Sequence, residues 1–266
     1  MANVGKIGRE NLVRTAAALG EDNSLGRFLP SALTLLGLCS GATAIRFAVG
    51  GDWKAAVAAI MCAAVFDMLD GKLARLFGVE GAFGAQLDSL ADLVSFGIAP
   101  GILVYMWTLY HAQGAGWAIA LIFCAASAIR LARFNVESAE REPGSPQPPY
   151  FTGLPTPAAA CLILLPMLLA FQFKGDAFSH PWLSAAMIAL MSWLMISRVP
   201  TLSLKNVHVP RQFRRSAVVL AGVLVALAVF WPWATLTAGL LLYLITIPVV
   251  ASHGDFSAHE LPPADH

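Results

Sequence analysis

One stretch of this chain decides both its fold and its chemistry. It reads Phe66-Asp67-Met68-Leu69-Asp70-Gly71-Lys72-Leu73-Ala74-Arg75, and it continues as Gly84-Ala85-Gln86-Leu87-Asp88-Ser89-Leu90-Ala91-Asp92. Four aspartates therefore lie close together in strongly apolar surroundings. A carboxylate in hydrocarbon costs roughly 2.5–3.5 kcal/mol, so aspartates in such a place indicate a functional site. A metal cation is the expected compensating partner.

The overall composition is that of an integral membrane protein. Of the 266 residues, 58% are hydrophobic and only 12% are charged. Soluble domains carry about 25% charged residues, so a soluble protein is excluded. The net charge of +1 gives no indication of a nucleic-acid partner.

Eight segments are apolar over about 20 residues, the length that a helix needs to cross a bilayer. They are 30–49, 54–76, 88–110, 115–134, 154–173, 181–198, 215–232 and 234–252. The predicted fold class is all-α: a polytopic membrane helical bundle with about eight transmembrane helices, six in a core and two at the C-terminus. The last two segments also allow a single hairpin. Pro166 predicts a kink and Pro200 a helix end.

The predicted organisation has four parts, namely an N-terminal segment (1–29), the six-helix core (30–198), C-terminal membrane helices (199–252) and a polar tail (253–266). The distribution of lysine and arginine predicts the orientation of these parts. Fourteen of the 17 basic residues fall on one side of the bilayer, and only Arg46, Lys54 and Lys174 fall on the other. Cytoplasmic loops carry the excess of positive charge, so the N-terminus and all four aspartates are expected at the cytoplasmic face.

The spacing of the aspartates predicts a compact metal site. Asp67 and Asp70 are three residues apart, and Asp88 and Asp92 are four apart, so each pair shares one helical face. An oxygen-only ligand set suits Mg²⁺ or Mn²⁺. Two cations about 3.5–4 Å apart would account for four carboxylates and would clamp a phosphoryl group.

Small residues accompany the carboxylates. Gly71 and Gly84 lack Cβ and so allow a ligand or a helix to approach the backbone closely. Ala74 continues this small face, and Arg75 offers a planar fork to a phosphate. The alternative for the small residues is ordinary helix packing, which is common in membranes.

The pattern D-x2-D-G-x2-A-R-x8-G-x3-D-x3-D resembles the signature of the CDP-alcohol phosphatidyltransferase family at every fixed position. The resemblance implies a membrane enzyme that moves a phosphatidyl group from a CDP-linked lipid to a hydroxyl and releases CMP. It also implies that the enzyme assembles as a homodimer. It implies that two divalent cations are held by Asp67, Asp70 and Asp88. Asp92 would be the general base and a further metal contact. The expected CDP pocket consists of Thr34, Gly71, Ala74, Arg75 and Gly84.

A second set of motifs concerns the acceptor. Arg130-Leu131-Ala132-Arg133-Phe134-Asn135, Phe151-Thr152-Gly153-Leu154-Pro155-Thr156-Pro157 and the extension of the aspartate motif through Ser95 resemble the phosphatidylserine synthase branch of the family. This resemblance implies CDP-diacylglycerol and L-serine as substrates. The expected contacts with serine or phosphate are Arg130, Arg133, Asn135 and Ser95. The alternative is that the arginines anchor anionic lipid headgroups.

Several alternatives remain open from the sequence. The acceptor can instead be glycerol phosphate, inositol phosphate or choline. Transfer can proceed by direct attack of the acceptor or through a covalent phosphatidyl-enzyme, although the motif contains no histidine or cysteine nucleophile. From another class of protein, the aspartates can form a cation path in a transporter, but such carboxylates are typical of the membrane midplane and of both repeated halves.

Overall fold

The computed structural model describes residues 25–79, 81–140, 150–173, 176–197, 200–202, 222–223 and 226–253. Its first two helices, α1 (Leu25–Val49) and α2 (Trp53–Phe77), form an antiparallel hairpin. Asp52 caps α2 by accepting a hydrogen bond from the backbone N–H of Ala55 at 3.1 Å. The part of α1 that is long and apolar enough to span a bilayer, Phe28–Val49, agrees with the predicted segment 30–49, and the helix itself begins five residues earlier at Leu25. Pro30 lies inside α1, where it removes one hydrogen bond without ending the helix.

A second antiparallel hairpin follows. Its first arm begins with α3 (Ala82–Asp92), continues through a π-helical segment (Leu93–Ile98) and α4 (Ala99–Val104), and ends with a second π-helical segment (Tyr105–Leu109) and a 3₁₀ turn (Tyr110–Ala112). Its second arm is α5 (Gln113–Ala139). The first arm starts six residues before the predicted position 88, so Asp88 and Asp92 lie within a helix rather than at its opening.

Close contacts fix the register of this second hairpin. Ser89 bonds to Asn135 at one end, and a Cβ added at Gly97 would lie 3.0 Å from the Cβ of Ser127 farther along. Gly116 lies directly against the backbone of Leu109 at the other end. The predicted separation into spans 88–110 and 115–134 therefore matches a chain reversal near Gln113.

The remaining described elements complete the bundle. They are β1 (Tyr150–Thr152), α6 (Thr156–Ile163), α7 (Leu165–Gln172), a 3₁₀ turn (Asp176–Ser179), α8 (Pro181–Ile196), β2 (Pro200–Leu202) and α9 (Pro232–His253). The helix is interrupted at Leu164, two residues before Pro166, where the sequence predicted a kink. The pairing of β1 with β2 departs from the all-α prediction, but each strand has only three residues.

Membrane-spanning capacity is clear for part of the bundle. Two helical stretches, Phe28–Val49 and Ala82–Ala139, are long and apolar enough to cross a bilayer. The helix α2 has sufficient length but carries Lys54, Asp67 and Asp70 within its apolar region. Half of the predicted segment 215–232 lies outside the described residues, so the count of about eight spans stays a prediction.

Buried apolar side chains connect these elements into one core. The largest fully buried side chains include Ile60 of α2, Phe96 and Leu103 of the first arm, Phe123 of α5 and Leu168 of α7. Because the two hairpins pack together, the ends of α1, α2, α3 and α5 meet at one end of the bundle. That end contains the aspartates.

Candidate active site

The aspartates from two helices converge at this end of the bundle. One carboxylate oxygen from each of Asp67, Asp70 and Asp88 lies within 4.8 Å of the other two. Asp92 lies outside this group of three, but it lines the same small cavity of about 10 Å³. A cavity of that size holds about one water molecule or one ion. The four carboxylates around this cavity form an oxygen-rich cage.

Thr34 fixes one of these carboxylates. Its hydroxyl lies 2.5 Å from Oδ2 of Asp70, and both side chains are buried. The same hydroxyl lies 3.1 Å from the backbone oxygen of Pro30, but its single proton serves the shorter contact to the carboxylate. Thr34 therefore orients an aspartate, in addition to lining the cavity described next.

A larger cavity of about 390 Å³ adjoins the cage. It is within the range of about 300–1,000 Å³ that small-molecule sites occupy. All five residues expected for the CDP pocket line it, together with two of the aspartates: Thr34, Asp70, Gly71, Ala74, Arg75, Gly84 and Asp88. The structure thus brings the whole expected pocket to one place, next to the carboxylates.

The two motif glycines face open space. A Cβ added at Gly84 would meet no atom of the described chain within 4 Å. At Gly71 the nearest atom is Nη1 of Arg75, 3.7 Å away, which is an ordinary contact. Close helix packing therefore does not explain these glycines, and the space they leave belongs to the cavity.

Asn135 and Ser89 join the two arms of the second hairpin beside Asp88. The Ser89 hydroxyl lies 3.0 Å from Oδ1 of Asn135. Asn135 was a predicted serine or phosphate contact, and the structure places its side chain in hydrogen-bond contact with the helix that carries Asp88 and Asp92. Sequence reasoning did not single out Ser89, although it lies between Asp88 and Asp92 in the motif.

The two predicted arginine contacts hold the backbone of neighbouring segments. Nε of Arg130 donates to the Leu154 carbonyl at 2.8 Å, and Nη1 of Arg133 donates to the Ile196 carbonyl at 3.0 Å. Arg130 is buried and also interacts electrostatically with Asp92. The backbone N–H of Leu154 in turn donates to Leu194 at 3.2 Å. These bonds tie the Gly153-Leu154-Pro155 loop to α5 and to the end of α8.

Gly153 explains why that loop follows so tight a path. Its φ is +78°, in the left-handed region that favours glycine. A Cβ there would also lie 2.8 Å from the Ser197 carbonyl and 3.0 Å from the Met195 carbonyl. The loop therefore requires glycine at this position, and the second motif has a structural role that the sequence alone did not reveal.

Ser95 is buried between the hairpins. Its hydroxyl lies 3.2 Å from the Gly37 carbonyl, and the residue also lines the small cavity beside the aspartates. The bond to Gly37 is a packing contact. The predicted contact of Ser95 with substrate stays a prediction.

The residues that line the larger cavity without belonging to the expected pocket include two serines, Ser31 and Ser138. Ser138 lies near the end of α5, 46 residues after the last motif aspartate. No local sequence signal connects it to the cavity, because only the return of α5 brings it there.

The residues present fit a divalent cation. Three carboxylates with ligand atoms within 4.8 Å form an oxygen-only donor set, and the cavity between them has room for an ion. The donor set contains neither histidine nor cysteine, which agrees with Mg²⁺ or Mn²⁺ rather than zinc.

The fold and this site define a membrane transferase of a known family. Residues 27–201 match the model of the CDP-alcohol phosphatidyltransferase family, and the chain belongs to that family. Membership confirms the resemblance seen in the aspartate motif. It also removes the transporter alternative, since the family consists of transferases.

Three relatives show which members the chain is similar to. It is 35% identical over 222 residues to a CDP-diacylglycerol–serine O-phosphatidyltransferase of Mycobacterium leprae. The matched region covers 84% of this chain and 74% of the relative. The chain is 33% identical over 178 residues to the enzyme of the same name from Helicobacter pylori, covering 67% and 73%. It is 35% identical over 175 residues to the archaetidylserine synthase of Methanothermobacter thermautotrophicus, covering 64% and 68%.

Proposed function

We propose that this protein transfers the phosphatidyl group of CDP-diacylglycerol to the hydroxyl of L-serine, giving phosphatidylserine and CMP. The observation that carries the proposal is the convergence of three carboxylates beside a cavity lined by the motif glycines. The acceptor follows from the relatives, because the three names given above all specify serine.

The larger cavity is the proposed site for the CDP group. Gly71 and Gly84 leave room for the nucleotide and its phosphates, Ala74 continues this face, and Arg75 supplies a guanidinium for a phosphate oxygen. Thr34 keeps Asp70 pointing toward the cage. When bound by Asp67, Asp70 and Asp88, with Asp92 at one side, two Mg²⁺ or Mn²⁺ ions would neutralise phosphate charge.

The transfer step is a direct displacement at the lipid-linked phosphorus. The serine oxygen forms the new bond to phosphorus, the bond from phosphorus to the CMP oxygen breaks, and CMP leaves with that electron pair. Asp92 accepts the proton of the serine hydroxyl as the new bond forms. Its place in the small cavity, beside the other three aspartates, supports this role.

Arg130, Arg133 and Asn135 are proposed for the acceptor side. A guanidinium is the natural partner of the serine carboxylate. Arg130 already interacts with Asp92, and Ser89 holds Asn135 next to the aspartate helix. These contacts keep the acceptor side close to the proposed base.

Asp92→Asn tests the base. We expect turnover to fall by about 100- to 10,000-fold, the usual contribution of a general base, while CDP-diacylglycerol still binds. Release of CMP by purified protein in lipid vesicles, with and without divalent metal, measures the effect. Asp52→Asn is the control, because Asp52 only caps α2 at the far end of the hairpin. Near-normal turnover of Asp92→Asn would remove Asp92 from this role.

The acceptor is tested separately with the native chain. Serine, glycerol phosphate, inositol phosphate and choline are each supplied with CDP-diacylglycerol, and the lipid product is identified by mass spectrometry. Formation of phosphatidylserine alone is expected. A product from another alcohol would keep the family chemistry and overturn the serine assignment.

We also propose a cytoplasmic active site, a cytoplasmic N-terminus and a homodimer in the membrane. Cysteines introduced at Gly81, near the cage, and at Gly114, at the opposite end, test the orientation. A membrane-impermeant maleimide added outside cells should label position 114 and spare position 81. Light scattering of the purified protein tests the dimer.

A further inference from the structure

A second cavity lies at the opposite end of the bundle from the aspartates. It has a volume of about 450 Å³ and is lined by Tyr105, Tyr110, His111, Gln113, Gly114 and Trp117. Trp117, which lines this cavity, and Asn135, which bonds to Ser89 beside the aspartates, lie eighteen residues apart in the α-helix α5. At 1.5 Å per residue this is about 27 Å, close to the thickness of the hydrocarbon core. The cavity is therefore separate from the catalytic cage and faces the other side of the membrane.

The rings around this cavity stand nearly perpendicular to one another. Tyr105 and Trp117 have ring centroids 5.2 Å apart and planes inclined by 69°, and Tyr105 and Tyr110 are 6.0 Å apart at 67°. These are edge-to-face contacts, and they hold together three rings that line the same cavity. Because an aromatic ring face carries negative potential, the exposed rings of Tyr110 and Trp117 favour a cation.

The local backbone is unusual at the same place. Tyr105 begins a π-helical segment, a form of helix that is frequent at functional sites. Gln113 has a φ of +47° and a ψ of −123°, a conformation that residues other than glycine rarely adopt. Both departures help to shape the cavity, since each residue lines it.

The lining residues indicate the charge of the ligand. Among the described residues that line the cavity, only His111 can carry a positive charge, and there is no lysine or arginine to pair with an anion. There is also no carboxylate, so a strongly hydrated metal ion would find no ligand set. An alkylammonium group suits the site better, because aromatic walls recognise a large, weakly hydrated cation.

We propose that this cavity binds the alkylammonium headgroup of a zwitterionic phospholipid from the leaflet opposite the active site. Tyr110 and Trp117 are 61% and 42% exposed, so a headgroup can reach both rings from the surrounding lipid. The chemistry recognised is the ammonium group, and a soluble amine such as choline would offer the same group. The proposal is independent of the acceptor assigned to the catalytic site.

Lipid binding to the purified full chain tests the proposal. Phosphatidylcholine and phosphatidylglycerol with identical acyl chains are titrated separately, and native mass spectrometry measures the dissociation constant of each. We expect Trp117→Leu to weaken phosphatidylcholine binding by about fivefold, the loss of one partly exposed cation–π contact. Phosphatidylglycerol binding should not change. Tyr110→Leu is a second variant at an exposed position and should act in the same direction.

Trp182→Leu is the matched control, because Trp182 is exposed at the start of α8 and does not line the cavity. Competition by choline distinguishes the sources: displacement shows that the ammonium group suffices, whereas resistance shows that the lipid is required. Equal weakening by Trp117→Leu and Trp182→Leu would indicate a general interfacial effect and overturn the proposal. Equal loss of both lipids in Trp117→Leu would overturn it as well.

Discussion

Glycines in two regions of this protein do opposite things. At the crossing of α1 with the second hairpin, a Cβ added at Gly41 would lie 2.6 Å from Cα of Ser95, so the helices touch through their backbones. At the cage, Gly84 faces open space and Gly71 meets only the end of a flexible arginine. The first region uses the missing side chain to bring helices together, and the second uses it to keep a cavity empty. The same residue type in the same apolar background therefore marks either packing or a ligand site.

The largest effect should come from Gly41→Val, which tests the packed region. The added side chain has no room beside Ser95, and neither helix backbone can move without disturbing the core. Overpacking costs about 1–3 kcal/mol for modest insertions, and a clash of backbone with backbone lies at or above the upper end. We expect little folded protein, measured as the monodisperse fraction in detergent and its melting temperature. Gly239→Val on α9, where no described atom lies within 4 Å, is the control.

Thr34→Val tests the contact that joins the two regions, because Thr34 lies on α1 with Gly41 and bonds to Asp70 of the cage. The change keeps the shape of the side chain but removes the hydroxyl that bonds to Asp70. Groups that orient a metal ligand typically contribute 10- to 100-fold to metal affinity, so we expect the Mg²⁺ concentration for half-maximal turnover to rise about tenfold. Thr43→Val, on the same helix, is the control, because the Thr43 hydroxyl bonds to the Cys39 carbonyl within α1. Equal metal requirements in the two variants would contradict a role for Thr34 at the cage.

A smaller and more selective effect is expected for Gly84→Val, which tests the open region. A Cβ added there meets no neighbouring atom within 4 Å, so we expect the melting temperature to stay unchanged. The added side chain occupies part of the cavity, however, and the KM for CDP-diacylglycerol should rise about fivefold to tenfold, the effect of roughly 1 kcal/mol of lost contact. Steady-state kinetics with varied lipid substrate measure this change. An unchanged KM together with normal folding would show that the nucleotide does not approach Gly84.

Much of the fold was predictable because local signals were strong. The apolar lengths of 54–76 and 181–198 correspond closely to α2 (Trp53–Phe77) and α8 (Pro181–Ile196). Helix starts were predicted less well, as at Leu25 and Ala82, because Pro30 does not end α1 and the turn before α3 is short. The short pairing of β1 with β2 was not predictable, since it joins segments 50 residues apart in the chain.

The candidate site was also only partly predictable from the sequence. The expected CDP pocket came from a motif of fixed spacing, and all five of its residues line one cavity. Arg130 and Arg133 were expected to contact substrate, and the structure adds bonds to the carbonyls of Leu154 and Ile196. These bonds form because the loop after β1 and the end of α8 pack against α5. A motif in the sequence cannot predict them, since the partners are far apart in the chain.

The sequence by itself determined that this is a membrane protein with clustered carboxylates and a family-specific motif, because hydropathy and helical spacing are local properties. Only the tertiary structure decided which glycines face a cavity, that Thr34 reaches Asp70, and that an aromatic cavity forms at the opposite end. These features arise where helices far apart in sequence meet. Their geometry is set by packing, which acts between residues that the chain order keeps apart.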